Sequence, residues 1–213
     1  MGVIHMVRHG QAMWESENYD QLSDLGKLQG RSLGAAWLAS EQSWTHAVSG
    51  SMTRHLETAD AVFGELGSSL NYDVDDRWNE FDHLALTGHV SADTRPKVAK
   101  DFQKILNVAL TNWMAGKSDV GESFADFSDR VLAAFGSVKQ NAGKDQTVIV
   151  FSSGGPISLI TSHVLASDSS LFMDLNSVIV NASVTTLIVG QEQTRLLAFN
   201  QHGHLPKGLS TYR

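Results

Sequence analysis

With 213 residues, 42% of them hydrophobic, the chain can bury a sizeable core without staples and fits one large domain or two small ones. Sixteen Lys and Arg against 23 Asp and Glu leave a net charge of -7, which argues against nucleic acid or an anionic membrane as the main partner and makes any anion site a local feature. Cysteine is absent, which excludes disulfides, a thiolate nucleophile and cysteine-ligated metal and makes a reducing cytoplasm the expected compartment.

Val3-Ile4-His5-Met6-Val7 has the composition of a buried strand and runs straight into Arg8-His9-Gly10. The run is too short for a signal peptide or a membrane span and no basic stretch precedes it, so a soluble protein is expected. Arg8 offers a planar fork of donors that grips two phosphate oxygens at once. His9 has a ring nitrogen free near neutral pH, able to attack phosphorus or shuttle a proton. Gly10 lets the backbone turn and come close to a ligand. A tripeptide that closes a structural strand by chance is the competing reading.

A polar loop from Gln11 to Asp20 leads to Ser23, a candidate N-cap for a helix to about Ser40 with Leu25, Leu28, Ala36 and Trp37 facing a core. Thr45 to Ser49 reads as a strand, and Ser51 as the cap of a helix carrying Leu56, Ala59, Phe63 and Leu66. Arg54 falls in the first turn of that helix, where the macrodipole disfavours a cation unless it reaches forward to an anion; a solvated surface arginine is the alternative.

Asn71 to Phe81 reads as an extended piece ending in Trp78-Asn79-Glu80-Phe81-Asp82-His83, a patch in which a carboxyl pKa can rise into general-acid range, or else a surface turn. Asp93 to Gly116 carries Val98, Phe102, Ile105, Ala109 and Trp113 on one helical stripe, and 121 to 141 repeats the pattern with Phe124, Phe127, Val131, Phe135 and Val138. Thr147 to Phe151 is an unbroken apolar run, a central strand, and Ser152-Ser153-Gly154-Gly155-Pro156 then opens a helix with Ile157, Ile160 and Val164. Glycines between a buried strand and a helix N-terminus make a phosphate cradle of outward N–H groups. Ser183 to Val189 and Thr194 to Phe199 form a closing hairpin, and the tail from His202 shows no period.

Strands alternating with helices and ending in a hairpin indicate an α/β protein, a three-layer α/β/α sandwich whose central sheet is largely parallel with an antiparallel edge strand. Ligands in such sheets sit beyond the carboxyl ends of the strands, so Arg8-His9 and Ser152-Ser153 are expected to meet. No repeat or linker interrupts the pattern, so residues 1-213 are expected to form a single domain with a helical cap insertion at about 84-116.

The ordered set of motifs resembles the histidine phosphatase superfamily, also called the phosphoglycerate mutase-like family. The resemblance rests on Arg8-His9-Gly10, Leu22-Ser23-x-x-Gly26 with Gln29 and Leu33-Gly34, Ser51-x-x-Arg54-x-x-x-Thr58-Ala59, and Glu80 in Trp-Asn-Glu. Gly121-Glu122-Ser123 with Arg130, the Ser-x-Gly-Gly turn at 152 to 155, and Asn200 with His204-Leu205 complete it. It implies a phosphoglycerate mutase-like fold and a metal-independent phosphatase in which His9 becomes a phosphohistidine, Arg8 and Arg54 hold the phosphoryl oxygens, and Glu80 gives a proton to the leaving oxygen. Gly10, Ser153, Gly154 and His83 are the expected substrate-binding residues, with no metal and no cofactor. The expected partner is a small phosphorylated substrate or inorganic phosphate.

Three positions depart from the family pattern. At Ser153 the family usually has a second histidine that donates to the phosphoryl group, and a lost preorganised donor costs on the order of 10²- to 10³-fold in rate. Ala12 stands where a hydroxyl residue is common, and Glu15 where an asparagine often contacts phosphate, so Glu15 is expected to turn away. His83 is the sequence's candidate to replace the missing histidine. Two alternatives follow: a phosphate-ligand binding or regulatory protein that has given up catalysis, and a phosphoglycerate-type mutase.

Overall fold

The computed structural model of the chain describes residues 1–13, 19–88, 99–118 and 121–212. In order, β1 (Gly2–Arg8) leads to α1 (Asp24–Ala39), β2 (His46–Ser49), α2 (Thr53–Leu66), β3 (Asp73–Val74) and a 3₁₀ turn (Asp76–Trp78). Then come α3 (His83–Thr87), α4 (Ala99–Met114), α5 (Phe124–Asn141), β4 (Thr147–Ser152), α6 (Gly154–Ala166), α7 (Phe172–Val178), β5 (Val184–Val189) and β6 (Thr194–Gln201). The six strands form one mixed sheet in the order β3-β2-β4-β1-β5-β6, with parallel pairing from β3 to β1 and antiparallel pairing from β1 through β6. This is the expected α/β architecture with its antiparallel edge.

Alternation along the central strands divides the core in two. Ile4, Met6, Val148 and Val150 point to the face covered by α4 to α7, where Phe127, Val131, Ile157 and Phe172 are buried. Val7, Ile149 and Phe151 point to the other, against Leu33 of α1 and Ala59, Val62 and Phe63 of α2. Both faces of β1 and β4 are thus buried, which is why their sequences are mostly apolar. Among the described residues, no helix is long and apolar enough to cross a membrane.

Several local expectations change. α1 buries Gly26, Gln29, Gly30, Leu33 and Gly34 rather than the predicted leucine face, and Leu28 is exposed. Its glycine edge lets α2 approach so closely that a Cβ at Gly34 would lie 2.6 Å from the Val62 carbonyl oxygen. The N-cap of α2 is Met52, without a side-chain cap, because the Ser51 hydroxyl instead accepts from Asn79 Nδ2 at 2.8 Å. The buried side chains of α4 are Leu106, Leu110 and Trp113; Trp113 is as predicted, while Leu106 is buried in place of Ile105, which is exposed. Residues 93 to 98 of that prediction, the side chain of Phe102, and Glu15 lie outside the described set. The short helix α7 was not expected.

Helix propensity and packing predict opposite signs at two glycines. In the interior of α5 an added Cβ at Gly136 meets nothing within 4 Å, so Gly136→Ala is expected to raise stability by about 0.5–1 kcal/mol. Gly34→Ala gains the same propensity but overpacks the α1–α2 contact, and a net loss of about 1–3 kcal/mol is expected. Urea denaturation of both variants checks the pair of signs.

Candidate active site

The site is set first by sheet register. Parallel pairing puts Arg8 beside Ser152, so the carboxyl ends of β1 and β4 meet as expected. The chain leaves the sheet held from several sides: His9 N–H donates to the Ser152 carbonyl at 2.9 Å, Asn181 Nδ2 donates to the His9 carbonyl at 3.2 Å, and Gly10 N–H donates to Thr58 Oγ1 at 3.0 Å. A Cβ at Gly10 would run into the Gly26 carbonyl, so this crossing needs glycine.

His9 is buried, and its Nδ1 lies 2.6 Å from the Gly10 carbonyl oxygen. A carbonyl only accepts, so Nδ1 carries the proton and Nε2 keeps its lone pair. Burial, then Arg54, Arg8 and His55, push the His9 pKa well below its ordinary value, overcoming the opposing Gly10 hydrogen bond. The ring is therefore neutral at neutral pH, with one nitrogen lone pair free.

Arg8, His9, Arg54, Glu80, His83 and Gly154 all line one cleft of about 70 Å³, several times the roughly 10–15 Å³ that one water requires. Gly10 and Ser153 are buried next to residues that line it, His9 and Gly154. Arg8 Nη1 donates to the Ile179 carbonyl and, at 2.9 Å, to that of Tyr212, which also lines the cleft. Gln29 Nε2 ties the same tail down at the Leu209 carbonyl (2.6 Å) and Thr211 Oγ1 (2.9 Å).

The anion that Arg54 was expected to reach is in part the protein's own. Asp20 Oδ1 accepts from Arg54 Nη1 at 2.6 Å and Oδ2 accepts from Thr53 N–H at 2.7 Å, so one carboxylate both neutralises the guanidinium and serves the α2 N-terminus. Arg54 also stands over the Tyr19 ring at 5.6 Å.

Glu80 sits on a braced loop. Arg130 pairs with Glu122 and donates from Nη1 to the Arg77 (3.0 Å) and Asn79 (2.8 Å) carbonyls just before Glu80. Glu80 Oε2 accepts from Gly155 N–H at 3.0 Å, and a Cβ at Gly155 would strike Oε1, so the glycine turn admits the carboxyl. Burial raises the Glu80 pKa against the lowering effect of that hydrogen bond and of the two arginines. Asp82, the other carboxylate of the patch, caps α3 by accepting from Ala85 N–H at 2.9 Å.

His83 reaches the cleft wall but lies edge-on to Tyr19, ring centroids 5.3 Å apart. The imidazole beside His9 is instead His55, with centroids 5.7 Å apart, and its Nε2 is 2.6 Å from Ser153 Oγ. Sequence reasoning missed it, although its place directly after Arg54 in a first helical turn was a usable signal. Asp20 was missed as well, because nothing local links it to residue 54.

The family model described as histidine phosphatase superfamily (branch 1) matches residues 4–202. A probable phosphoglycerate mutase GpmB from Citrobacter koseri is 27% identical over 140 residues, which is 63% of this chain and 61% of that protein's length. Among solved structures, a mutant phosphoserine phosphatase from Entamoeba histolytica in complex with phosphoserine superposes with a TM-score of 0.70 at 17% identity, covering 97% of this chain and 100% of the other. A putative alpha-ribazole-5'-P phosphatase from Escherichia coli has a TM-score of 0.70 at 17% identity, covering 94% and 97%.

Asp20→Ala leaves Arg54 buried without its carboxylate and is expected to cost about 1–3 kcal/mol of stability. Inorganic phosphate should recover more of that loss in the variant than it adds to the wild type. Thermal melts with and without phosphate read both effects, and equal phosphate shifts in the two proteins would show that Arg54 does not meet the ligand.

Proposed function

The chain belongs to the histidine phosphatase superfamily (branch 1), and from that premise we propose that it hydrolyses a small phosphomonoester or a phosphorylated protein through a phosphohistidine on His9. The observation that carries this reading is the placement of His9: its Nδ1 lies 2.6 Å from the Gly10 carbonyl oxygen, and the buried ring shares a cleft with two guanidiniums that help hold its pKa well below the ordinary value. The solved complex of a structural neighbour with phosphoserine supports a small phosphorylated substrate.

In the first step the His9 Nε2 lone pair forms a bond to phosphorus while the ester P–O bond breaks, and the leaving oxygen takes the proton of Glu80. Glu80 suits this task because burial keeps its proton to higher pH than an ordinary carboxyl. In the second step the Glu80 carboxylate takes a proton from water, the water oxygen bonds phosphorus and the N–P bond breaks, returning neutral His9 and inorganic phosphate. Arg8 and Arg54 oppose the charge on the transferring group throughout, so the proposed reaction assigns no role to a metal.

One observation favours a second reading, a phosphate-binding protein without turnover: Ser153, at the family's second-histidine position, brings a neutral hydroxyl. Acid-labile phosphate trapped on the protein separates the two.

With p-nitrophenyl phosphate, a first-turnover burst of p-nitrophenol is expected from the wild type and none from His9→Ala. Glu80→Gln should keep the burst, since this leaving group needs no proton, while turnover of an alkyl phosphate falls about 10²- to 10⁴-fold. For the alkyl substrate, wild-type kcat/KM should decline as pH rises through the elevated Glu80 pKa, and that limb should vanish in Glu80→Gln. Turnover in His9→Ala equal to the wild type overturns the mechanism.

A further inference from the structure

Ser153 holds the N-cap position of α6 with an extended backbone, φ -115° and ψ 174°, yet makes no capping hydrogen bond. A serine there ordinarily accepts from the second or third helical N–H. The second belongs to Gly155 and is taken by Glu80, and the third residue is Pro156, which has none. The hydroxyl is thereby released from capping, and it turns to His55, with Oγ 2.6 Å from Nε2.

The direction of that bond follows from the other ring nitrogen. His55 Nδ1 is buried without a hydrogen-bond partner. An orphaned lone pair costs less than an orphaned N–H, so the proton sits on Nε2 and Ser153 Oγ accepts it. Ser153 then keeps its own hydrogen, for which no acceptor is found among the described residues. Its chain neighbour Gly154 lines the cleft, and the His55 ring lies against that of His9.

We propose that His55 is a positioning residue that turns the Ser153 hydroxyl so that its hydrogen is given to an oxygen of the anion bound beside His9. The inference rests on reading the cleft as a phosphoryl site, but on binding alone and not on turnover. Burial and Arg54 keep His55 neutral, so it supplies orientation and no charge.

The test uses inorganic phosphate and calorimetry on the full chain. Loss of one hydrogen bond to a charged ligand is expected to weaken binding roughly 10- to 100-fold in Ser153→Ala, and by a similar factor in His55→Leu. Because the two act as one unit, the double variant should bind no more weakly than either single variant. His55→Gln, which keeps an N–H within reach of Ser153, should bind within about three-fold of the wild type, a rescue that a purely structural role would not give. Melting curves of each variant separate a folding defect from a lost donor.

Wild-type affinity in Ser153→Ala, losses that multiply in the double variant, or a folded His55→Gln as weak as His55→Leu would each overturn the proposal. Phosphohistidine trapping on the wild type reports separately on the hydrolytic reading. Binding that depends on the pair without any phosphoenzyme upholds this inference and rejects that one, and a wild type that binds no phosphate rejects both.

Discussion

The backbone hydrogen bond from His9 to the Ser152 carbonyl, last in the parallel ladder between β1 and β4, is the constraint on which the site depends. It brings the two central strands to an end at the same level, so that two loops leave the sheet together. One carries Arg8 and His9, the other Ser153 and the glycine turn. A slip of one residue between these strands would exchange their buried faces and is opposed by both halves of the core. Packing of Ile4, Met6, Val148 and Val150 on one side and Val7, Ile149 and Phe151 on the other therefore fixes the geometry of the cleft as well as stability.

Electrostatics then work against the overall charge of the chain. A protein of net charge -7 buries two guanidiniums within one cleft. Desolvation and the two cations both oppose charging His9, which keeps a ring nitrogen unprotonated. The same burial shifts Glu80 in the opposite direction, because removing water disfavours a carboxylate and so raises its pKa. One buried environment thus lowers the pKa of an imidazole and raises that of a carboxyl lining the same cleft. Asp20 offsets the cost by sharing its carboxylate between Arg54 and the first turn of α2.

Support for these groups comes from far along the chain. Arg130 on α5 holds the carbonyls that precede Glu80, Asn181 holds the His9 carbonyl, and the tail at Leu209 to Tyr212 is bound by Gln29, Asn181 and Arg8. Asn200 joins the approach to β5, accepting from Val180 N–H at 2.8 Å and donating to the Val178 carbonyl at 2.8 Å. Residues quoted in the motifs for their order, such as Arg130 and Asn200, hold backbone in place, while Arg8, His9 and Arg54 face the cleft.

What the sequence by itself determined was whatever a short-range rule expresses. Apolar runs identified β1 and β4, Ser23 marked the start of α1 by accepting from Gly26 N–H at 3.0 Å, and the five-residue stripe of α5 faces the core as its period requires. Alternation of strands and helices was enough for the layered α/β architecture, and strand-end placement for the meeting of residues 8 and 152. The partners of polar groups were decided only by the tertiary structure. Arg54 finds Asp20 across 34 positions and His55 finds Ser153 across 98, separations at which no local pattern records a contact. Likewise the buried face of α1 was set by how near α2 could come, a matter of glycine clearance between two helices that hydrophobic periodicity does not measure.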